Sequence, residues 1–440
     1  MRRCLPVSLT EARERKNRGR VFPLLFALLA LCLLTACAQR SESAPEAEES
    51  APAESVPAEP EEAKSDYEYL PETAQPQEPE EAPEPTPEER EAALDAKLRA
   101  RIAGMSAEEK VGQLFFVRCP AADAAEKIAR YHLGGVLLFT RDYQDDSGEW
   151  LSKEAFIAKL DELQDAARGD LGIPLFIGSD EEGGTVTRAS RNPNLFPAPS
   201  QSPQALFAAG GIGAVVNDAA QKSYLLRELG INVNFAPVCD VAASESDFIY
   251  DRTLGQDAET TADCVARVVG AMNSAGVGSV LKHFPGYGNN GDTHTGSVID
   301  ERAYEHFDSV DFLPFEAGIE AGAPFVLVCH NIVTSMDATL PASLSPTVHR
   351  ILRGGLGFDG VILTDDLSMA GATTGESTSS VAVLAVKAGN DMLVTEDFET
   401  QIADVLDAVE YGSITPKMLD DACYRILRAK CALGLLSLED

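Results

Sequence analysis

The chain has 440 residues, with 36 Lys or Arg against 70 Asp or Glu, so its formal net charge is −34. This length suffices for up to about three average domains, or for one large barrel with an appendage. No basic stripe stands out in so acidic a chain, which argues against a nucleic acid as its partner.

The amino-terminal segment has the pattern of a bacterial lipoprotein signal. Residues 1–20 are rich in Arg and Lys, and the apolar run 21–34 is short for a membrane span but typical of a signal peptide. The run ends in Leu34-Thr-Ala-Cys37, which resembles the site where a cysteine is acylated and becomes the new amino terminus. We therefore predict that residues 1–36 are a signal peptide and that Cys37 is lipidated, so that the protein is extracytoplasmic and lipid-anchored to the bacterial cell membrane. The alternatives are an ordinary signal peptide and a short buried helix.

The next segment, residues 37–90, consists largely of Glu, Pro, Ala and Ser. From residue 41 onward it holds about 17 acidic and 2 basic residues, and therefore about −15 of the total charge. Such a segment has too little apolar surface to offset the loss of chain entropy on folding. We expect a disordered acidic linker that is extended by self-repulsion, followed by one catalytic domain over residues 91–440.

Beyond the linker, short apolar runs alternate with amphipathic stretches. A capping-box pattern, Ser106-Ala-Glu-Glu109, precedes the first run. The eight candidate strands are Gln113–Val117, Gly135–Phe139, Leu175–Gly178, Asn232–Ala236, Ser279–Lys282, Phe325–Cys329, Val361–Thr364 and Asp391–Val394. The helical patterns between them include Lys153–Arg168, Gln204–Leu229, Thr260–Ala275, Tyr304–Ala321 and Ser380–Ala388.

This alternation predicts an α/β fold with a single parallel (β/α)8 TIM-type barrel, in which helices cover the strands. A doubly wound open sheet is the alternative. It normally has a Gly-rich turn after its first strand, and the sequence has none there.

Six of the nine cysteines lie beyond the signal, without CxxC spacing and mostly in apolar runs: Cys119, Cys239, Cys264, Cys329, Cys423 and Cys431. Cys423 and Cys431 are two turns apart on a predicted helix, about 12 Å, which is too far for a disulfide. We predict buried free thiols.

Polar residues recur at the carboxyl ends of the predicted strands, the edge where (β/α)8 barrels carry their active sites. They are Asp180, Asp240, Lys282, His283, His330 and Asp365. The densest group lies in Leu281–His294, where a Lys, two His and an Asp occur on a glycine-rich segment after a strand. Titratable groups on such a loop are typical of a catalytic site.

Structural interpretations of these residues stay open. Asp180 suits either a polyhydroxylated ligand or a helix cap, Arg188 suits the same ligand or a loop salt bridge, and Lys282 can pair with a core carboxylate. Asp365 and Asp366 end a buried strand, in which successive side chains point to opposite faces. One can therefore face the barrel mouth while Asp366 caps the following segment.

Four segments resemble motifs of glycoside hydrolase family 3, in the family's order and at its approximate spacing. They are DEEGGTVTR from Asp180, DRTLG from Asp251, KHFPGYGNNGDTH from Lys282 and VILTDDLSM from Val361. The resemblance spans roughly residues 95–435 and is greatest to the bacterial β-N-acetylhexosaminidases of the family.

This resemblance implies a retaining exo-glycosidase that hydrolyses terminal non-reducing β-N-acetylglucosamine (GlcNAc), from peptidoglycan-derived or other glycans. Asp365 would be the nucleophile and His294 the general acid/base, with Asp292 orienting the imidazole ring. The residues implied to hold the sugar are Asp180, Arg188, Arg252, Lys282 and His283. The implied partner is a carbohydrate, no cofactor or metal is implied, and we expect a monomer.

Two positions depart from the family pattern. Tyr287 stands where the family usually has a second histidine, and Glu181 stands where glutamine is usual. Neither position is assigned bond-making chemistry, so the departures bear on local detail of the sugar site. It is also open whether Glu181 and Glu182 are solvated loop charges.

Other functions remain as alternatives. Within the family these are a GlcNAc phosphorylase and a β-glucosidase, although glucosidase members generally lack a histidine acid/base on this loop. A metal-dependent hydrolase could use His283, Asp292, His294, His330 and Asp365 as ligands, but the paired histidines common after the first strand of such barrels are missing. A catalytically inactive sugar-binding lipoprotein is the alternative from a different class.

Overall fold

The structure is a computed structural model that describes residues 85–169, 171–242, 244–372 and 380–438. Pro85–Asp440 form a compact unit. The predicted signal peptide, Cys37 and nearly all of the predicted linker lie outside the described residues. Among the described residues, every helix is too short or too polar to cross a lipid bilayer.

Eight parallel strands form a barrel in the described part of the molecule, and each pairs with the next barrel strand along the chain. They are β1 (Phe115–Arg118), β2 (Gly135–Leu138), β3 (Phe176–Ser179), β4 (Val233–Asn234), β5 (Gly278–Phe284), β7 (Phe325–Val328), β9 (Val361–Thr364) and β10 (Leu393–Thr395), while β6 (Ile299–Asp300) and β8 (Ile332–Val333) form a separate pair. The barrel closes where β10 pairs with β1 and a bridge joins Leu363 to Met392. The predicted (β/α)8 barrel is confirmed.

Helices cover the strands on the outside of the barrel. They are α1 (Pro87–Ala103), α2 (Ala107–Gln113), α3 (Ala124–Tyr131), α4 (Lys153–Arg168), α5 (Pro203–Glu228), α6 (Ala258–Ala275), α7 (Tyr304–His306), α8 (Phe312–Glu320), α9 (Pro346–Arg350), α10 (Val381–Ala388), α11 (Phe398–Glu410) and α12 (Pro416–Ala432). The capping box predicted at Ser106 is present: its hydroxyl accepts from the backbone N–H of Glu109, whose carboxylate accepts from the N–H of Ser106.

Aromatic side chains fill much of the barrel core. Phe116 packs edge-on against Phe235 at 5.3 Å between ring centroids, and Phe176 packs edge-on against Phe325 at 5.1 Å. Gly178 allows this packing, since a Cβ there would approach the Phe235 ring to 2.8 Å. Every residue of the barrel strands is buried except Arg118, which ends β1. Arg118 lies at the carboxyl end of β1, the end of the barrel where the sequence predicts an active site.

Several predicted boundaries were wrong for identifiable reasons. Gln113 ends α2 and does not begin β1, because its side chain bridges the His132 carbonyl and Lys430. The helix predicted over 204–229 breaks at Gly210 and Gly211, whose backbone dihedrals are not helical.

The helix predicted over 304–321 is also interrupted. A wider helical turn, Phe307–Asp311, separates α7 from α8. It lies where Asp311 accepts hydrogen bonds from Arg302.

All six cysteines beyond the signal are unpaired, and five of them are buried. Cys431 is partly exposed, so the prediction of buried thiols was wrong for it. Burial raises the pKa of Cys119 and of Cys423 to about 12, so both are thiols at neutral pH.

Candidate active site

A cavity opens at the carboxyl ends of the barrel strands. Its lining consists of Arg118, Leu137, Phe139, Asp180, Phe235, Arg252, Lys282, His283, Tyr287, His294, Leu327, Asp365, Asp366, Met369 and Val394. Six of the eight residues predicted for the site are in this set. Of the other two, Asp292 contacts His294, and Arg188 lies outside the lining.

Glu182 links two of the cationic residues of the cavity. Its carboxylate accepts two hydrogen bonds from Arg252, at 2.9 and 2.7 Å, and lies 2.6 Å from Lys282 Nζ. The Glu182 side chain is 1 % exposed. Burial alone would raise the pKa of Glu182, but Arg252 and Lys282 hold it well below the usual range. Glu182 is therefore a buried anion and not a solvated loop charge.

Lys282 is held between two carboxylates at the end of β5. Its Nζ donates to Asp180 Oδ1 at 2.8 Å and also faces Glu182. Burial acts to lower the pKa of Lys282, and the carboxylates of Asp180 and Glu182 raise it above its ordinary value. The ammonium group is thus charged and fixed, with Asp180 partly exposed beside it.

Asp240 positions His283. Its Oδ2 contacts His283 Nδ1 at 2.8 Å and accepts the His283 backbone N–H at 3.1 Å. With Nδ1 as the donor to this carboxylate, Nε2 is the acceptor for the Arg252 guanidinium at 3.0 Å. The other Asp240 oxygen accepts the backbone N–H of Tyr287 at 2.7 Å. One buried carboxylate therefore fixes both the end of β5 and the start of the following loop.

Asp365 lies at the end of β9 and is partly exposed to the cavity. Its Oδ1 accepts the backbone N–H of Asp366 at 2.8 Å. Burial alone would raise the pKa of Asp365, but His330 and His283, together with that N–H, hold it below its usual range. An ionised carboxylate in this position is a competent nucleophile.

His330 contacts the segment that contains Asp365 and Asp366. It is fully buried, with Nε2 2.9 Å from the carbonyl oxygen of Asp366 and Nδ1 2.7 Å from the Ser343 hydroxyl. Burial lowers its pKa. It does not line the cavity, and both of its ring nitrogens are engaged in these hydrogen bonds.

Asp366 combines the predicted capping role with an ion pair. Its Oδ1 accepts the Ser368 N–H at 2.8 Å, as a cap does. Its Oδ2 lies 2.5 Å from Nε of Arg118, whose other end contacts Glu396 at 3.0 Å. Sequence reasoning missed Arg118, although an arginine that ends an apolar strand of a barrel is a signal for this edge.

Asp292 and His294 form a pair on the loop after β5. Asp292 Oδ1 lies 2.6 Å from His294 Nδ1 and accepts the His294 backbone N–H at 2.9 Å. The His294 side chain is 61 % exposed, and Nε2 carries no hydrogen bond to Asp292. The carboxylate thus fixes one side of the ring and leaves the other side for a substrate.

The Arg188 guanidinium lies 5.7 Å from the ring centroid of Phe139, which lines the cavity. Its backbone N–H donates to Glu181 at 2.9 Å. Glu181 is fully buried and also accepts from the Ser190 hydroxyl and backbone N–H. Glu181 is therefore a structural anchor for the loop that carries Arg188.

The residues considered as possible metal ligands have other partners. Among the described residues, no group of three or more His, Cys, Asp or Glu side chains is placed to hold a metal ion. His283 contacts Asp240, and His330 contacts Ser343 and a backbone carbonyl. These donor atoms are engaged in hydrogen bonds within the protein.

Residues 106–429 match the sequence model of the glycosyl hydrolase family 3 N-terminal domain. A β-hexosaminidase of Methylococcus capsulatus is 31 % identical over 297 residues, which cover 67 % of this chain and 85 % of that protein. The β-hexosaminidase LpqI of Mycobacterium tuberculosis is 30 % identical over 338 residues, covering 74 % of this chain and 83 % of that one.

Solved structures of two related enzymes are also similar to this chain. A family 3 β-N-acetylglucosaminidase from Paenibacillus has a TM-score of 0.69 at 31 % identity, covering 76 % of this chain and 63 % of its own. A β-N-acetylhexosaminidase from Beutenbergia cavernae has a TM-score of 0.66 at 32 % identity, covering 75 % of this chain and 99 % of its own.

Proposed function

This chain belongs to glycoside hydrolase family 3, and we propose that it removes terminal non-reducing β-GlcNAc residues from glycans with retention of configuration. The observation that carries the proposal is the convergence of Asp365 and the Asp292–His294 pair on one cavity. The relatives named β-hexosaminidases support the choice of sugar. Peptidoglycan fragments are the proposed natural source of that sugar.

In the first step, the Asp365 carboxylate attacks C1 of the sugar while His294 Nε2 donates a proton to the departing oxygen. The bond from C1 to that oxygen breaks, and a covalent glycosyl-enzyme forms on Asp365. In the second step, His294 takes a proton from water, whose oxygen attacks C1 and releases Asp365. Two inversions restore the β configuration.

A histidine in the acid/base role differs from the pair of carboxylic acids common in glycosidases. An imidazole is nevertheless suited to it, because its ordinary pKa lies near neutrality and permits transfer in both directions. Asp292 at Nδ1 fixes the ring and stabilises the imidazolium form.

The cavity walls offer groups for sugar hydroxyls. Asp180 presents a partly exposed carboxylate, and Lys282 and Arg252 present cations held by Glu182. Because these groups are fixed by bonds to one another, they need no rearrangement when a sugar binds. We propose that they hold the sugar, together with His283 and Arg188.

The test is turnover of aryl β-GlcNAc and aryl β-glucoside by the purified protein, each with and without phosphate. We expect preference for the GlcNAc substrate and no dependence on phosphate. Preference for the glucoside would reject the substrate, and strong phosphate dependence would indicate a phosphorylase. Sugar binding without turnover would indicate an inactive binding protein, and loss of turnover after exhaustive chelation would indicate a metal-dependent hydrolase.

The nucleophile is tested separately by Asp365→Asn. We expect kcat to fall by at least about 10³-fold, because the amide cannot form the glycosyl-enzyme. Trapping with a 2-fluoro sugar, followed by mass spectrometry of the digested protein, should label the wild-type peptide that contains Asp365. A label on another peptide would reject the assignment.

A further inference from the structure

The tip of the acid/base loop has one buried residue between two exposed ones. The side chains of Asp292 and His294 are 30 % and 61 % exposed, whereas Thr293 is fully buried. The hydrogen bonds between Asp292 and His294 fix the two residues relative to each other. Their position relative to Asp365, which lines the same cavity as His294, must be set by other contacts of the loop, which contains Gly288, Gly291 and Gly296.

Tyr287 provides such a contact. Its hydroxyl lies 2.5 Å from Thr293 Oγ1, and both residues are buried. Tyr287 is itself fixed to the barrel, because Asp240 accepts its backbone N–H at 2.7 Å and its ring packs edge-on against His283 at 5.2 Å. The Tyr287–Thr293 bond therefore joins the loop tip to the rigid end of β5.

A second contact joins Thr293 to the segment that follows the nucleophile. The Gly371 N–H donates to the Thr293 carbonyl oxygen at 3.0 Å. A Cβ at Gly371 would lie 2.9 Å from that same oxygen, so the close approach suits glycine. Thr293 thus contacts the parts of the barrel that carry His283 on one side and Asp365 on the other.

We propose that Tyr287 is a positioning residue for general acid catalysis, whose hydroxyl holds Thr293 so that His294 stands at a fixed place over Asp365. The inference rests on the proposed function, because it gives His294 the acid role. It also assigns a role to the position where this chain departs from the family's usual histidine.

Leaving groups of different acidity test this role. A 2,4-dinitrophenolate leaves without protonation, whereas the alcohol of methyl β-GlcNAc needs an acid. In Tyr287→Phe and Thr293→Val we expect kcat/KM to fall about 10-fold or more on the methyl glycoside and to stay within about 3-fold on the dinitrophenyl glycoside. The double variant should behave like either single variant, since the two hydroxyls act as one contact. His294→Ala shows, for comparison, how far kcat/KM on the methyl glycoside falls when the proposed acid is removed altogether.

Tyr143→Phe is the matched control, because it removes an equally buried hydroxyl that lies 2.8 Å from the Ser179 hydroxyl. It should lower thermal stability about as much as Tyr287→Phe, without a change in leaving-group dependence. Equal losses on both substrates in Tyr287→Phe would overturn the positioning role and leave the proposed function intact.

Hydrogen exchange at the Gly371 amide tests the anchor without turnover. We expect faster exchange in Tyr287→Phe than in wild type, and unchanged exchange would overturn the anchor. If wild type cleaves neither glycoside, the proposed function fails, and the exchange result still supports or overturns the contact itself.

Discussion

Glu182 shows how a carboxylate can organise the proposed sugar site through the cations it holds. It is more deeply buried than Asp180, and it contacts both Arg252 and Lys282. Two neighbouring cations repel each other, and a shared anion between them offsets that repulsion. The fixed positions of Arg252 and Lys282 therefore depend on Glu182.

Glu182→Gln should test this dependence. We expect the free energy of unfolding to fall by about 3 kcal/mol, because a buried pair loses one charge. We also expect kcat/KM on aryl β-GlcNAc to fall by about 10²-fold as Lys282 and Arg252 move. Chemical unfolding and steady-state kinetics measure the two effects.

The control is Glu396→Gln, which removes a mostly exposed partner of Arg118. Exposed ion pairs contribute little to stability, so the free energy of unfolding and kcat/KM should both stay near the wild-type values. Wild-type kinetics in Glu182→Gln would show that the two cations are held without this charge.

At the level of single residues, the sequence predicted those side chains that lie at the carboxyl end of a strand or directly after it. Asp180, Lys282, His283 and Asp365 follow from the rule that active sites of parallel barrels lie at the carboxyl edge. Glu182 could not be separated from a solvated charge, because its burial depends on how the loop folds back onto Arg252. Glu182 and Arg252 are 70 residues apart in the sequence, so their contact depends on the tertiary fold.

Among the secondary-structure elements, the number and order of the barrel strands were predictable, whereas most boundaries and the separate β6–β8 pair were not. The apolar runs identify strands buried on both faces, as parallel barrels require. Boundaries are set by side-chain bonds between distant segments. Gln113 illustrates this, since it accepts from Lys430, which lies 317 residues later on α12.

The buried Lys430 on α12 predicts that the free energy of unfolding depends on pH. The residue is fully buried, with Nζ 2.7 Å from Gln113 Oε1 and 5.1 Å from the ring centroid of Phe176. Among the described residues, no carboxylate forms a salt bridge with it. Burial lowers the pKa of Lys430 to about 7.

The sign of the effect follows from proton binding. The pKa of an unfolded lysine is about 10.4, so between pH 7 and about 10 the unfolded state binds more protons at this residue than the folded state. The free energy of unfolding should therefore rise with pH across this window, by a few kcal/mol from this group. Below pH 7 Lys430 is charged in the folded state as well, so burial of its charge lowers the free energy of unfolding by the full amount.

Lys430→Met should remove this contribution. We expect the free energy of unfolding of the variant to exceed that of wild type most near pH 7, and the difference to shrink towards pH 10. Urea unfolding at several pH values measures both. Lys417→Met is the control, because the Lys417 side chain is 81 % exposed. Parallel stability curves for Lys430→Met and wild type would contradict the prediction.

For the whole molecule, the linker and the barrel are both acidic. About −15 of the net charge of −34 falls between residues 41 and 90, ahead of the barrel. The cavity lining holds three carboxylates, Asp180, Asp365 and Asp366, and three cations, Arg118, Arg252 and Lys282. Residues 91–440 hold 26 basic and 51 acidic residues, so the barrel is acidic as well, by about −25. The charge per residue is nevertheless highest in the linker, where self-repulsion favours an extended spacer.

We propose on this basis that Cys37 is acylated and that the linker keeps the barrel away from the membrane to which the acyl chains bind. Cys37→Ser, expressed in a bacterium with a lipoprotein pathway, should lose incorporation of a labelled fatty acid and move from the membrane to the soluble fraction. Its kcat/KM on aryl β-GlcNAc should equal that of wild type, because the groups of the cavity belong to the compact unit Pro85–Asp440. Cys32→Ser is the matched control, since this cysteine precedes the predicted cleavage site and should leave labelling unchanged. Membrane retention of Cys37→Ser with undiminished labelling would show that another residue or segment provides the anchor.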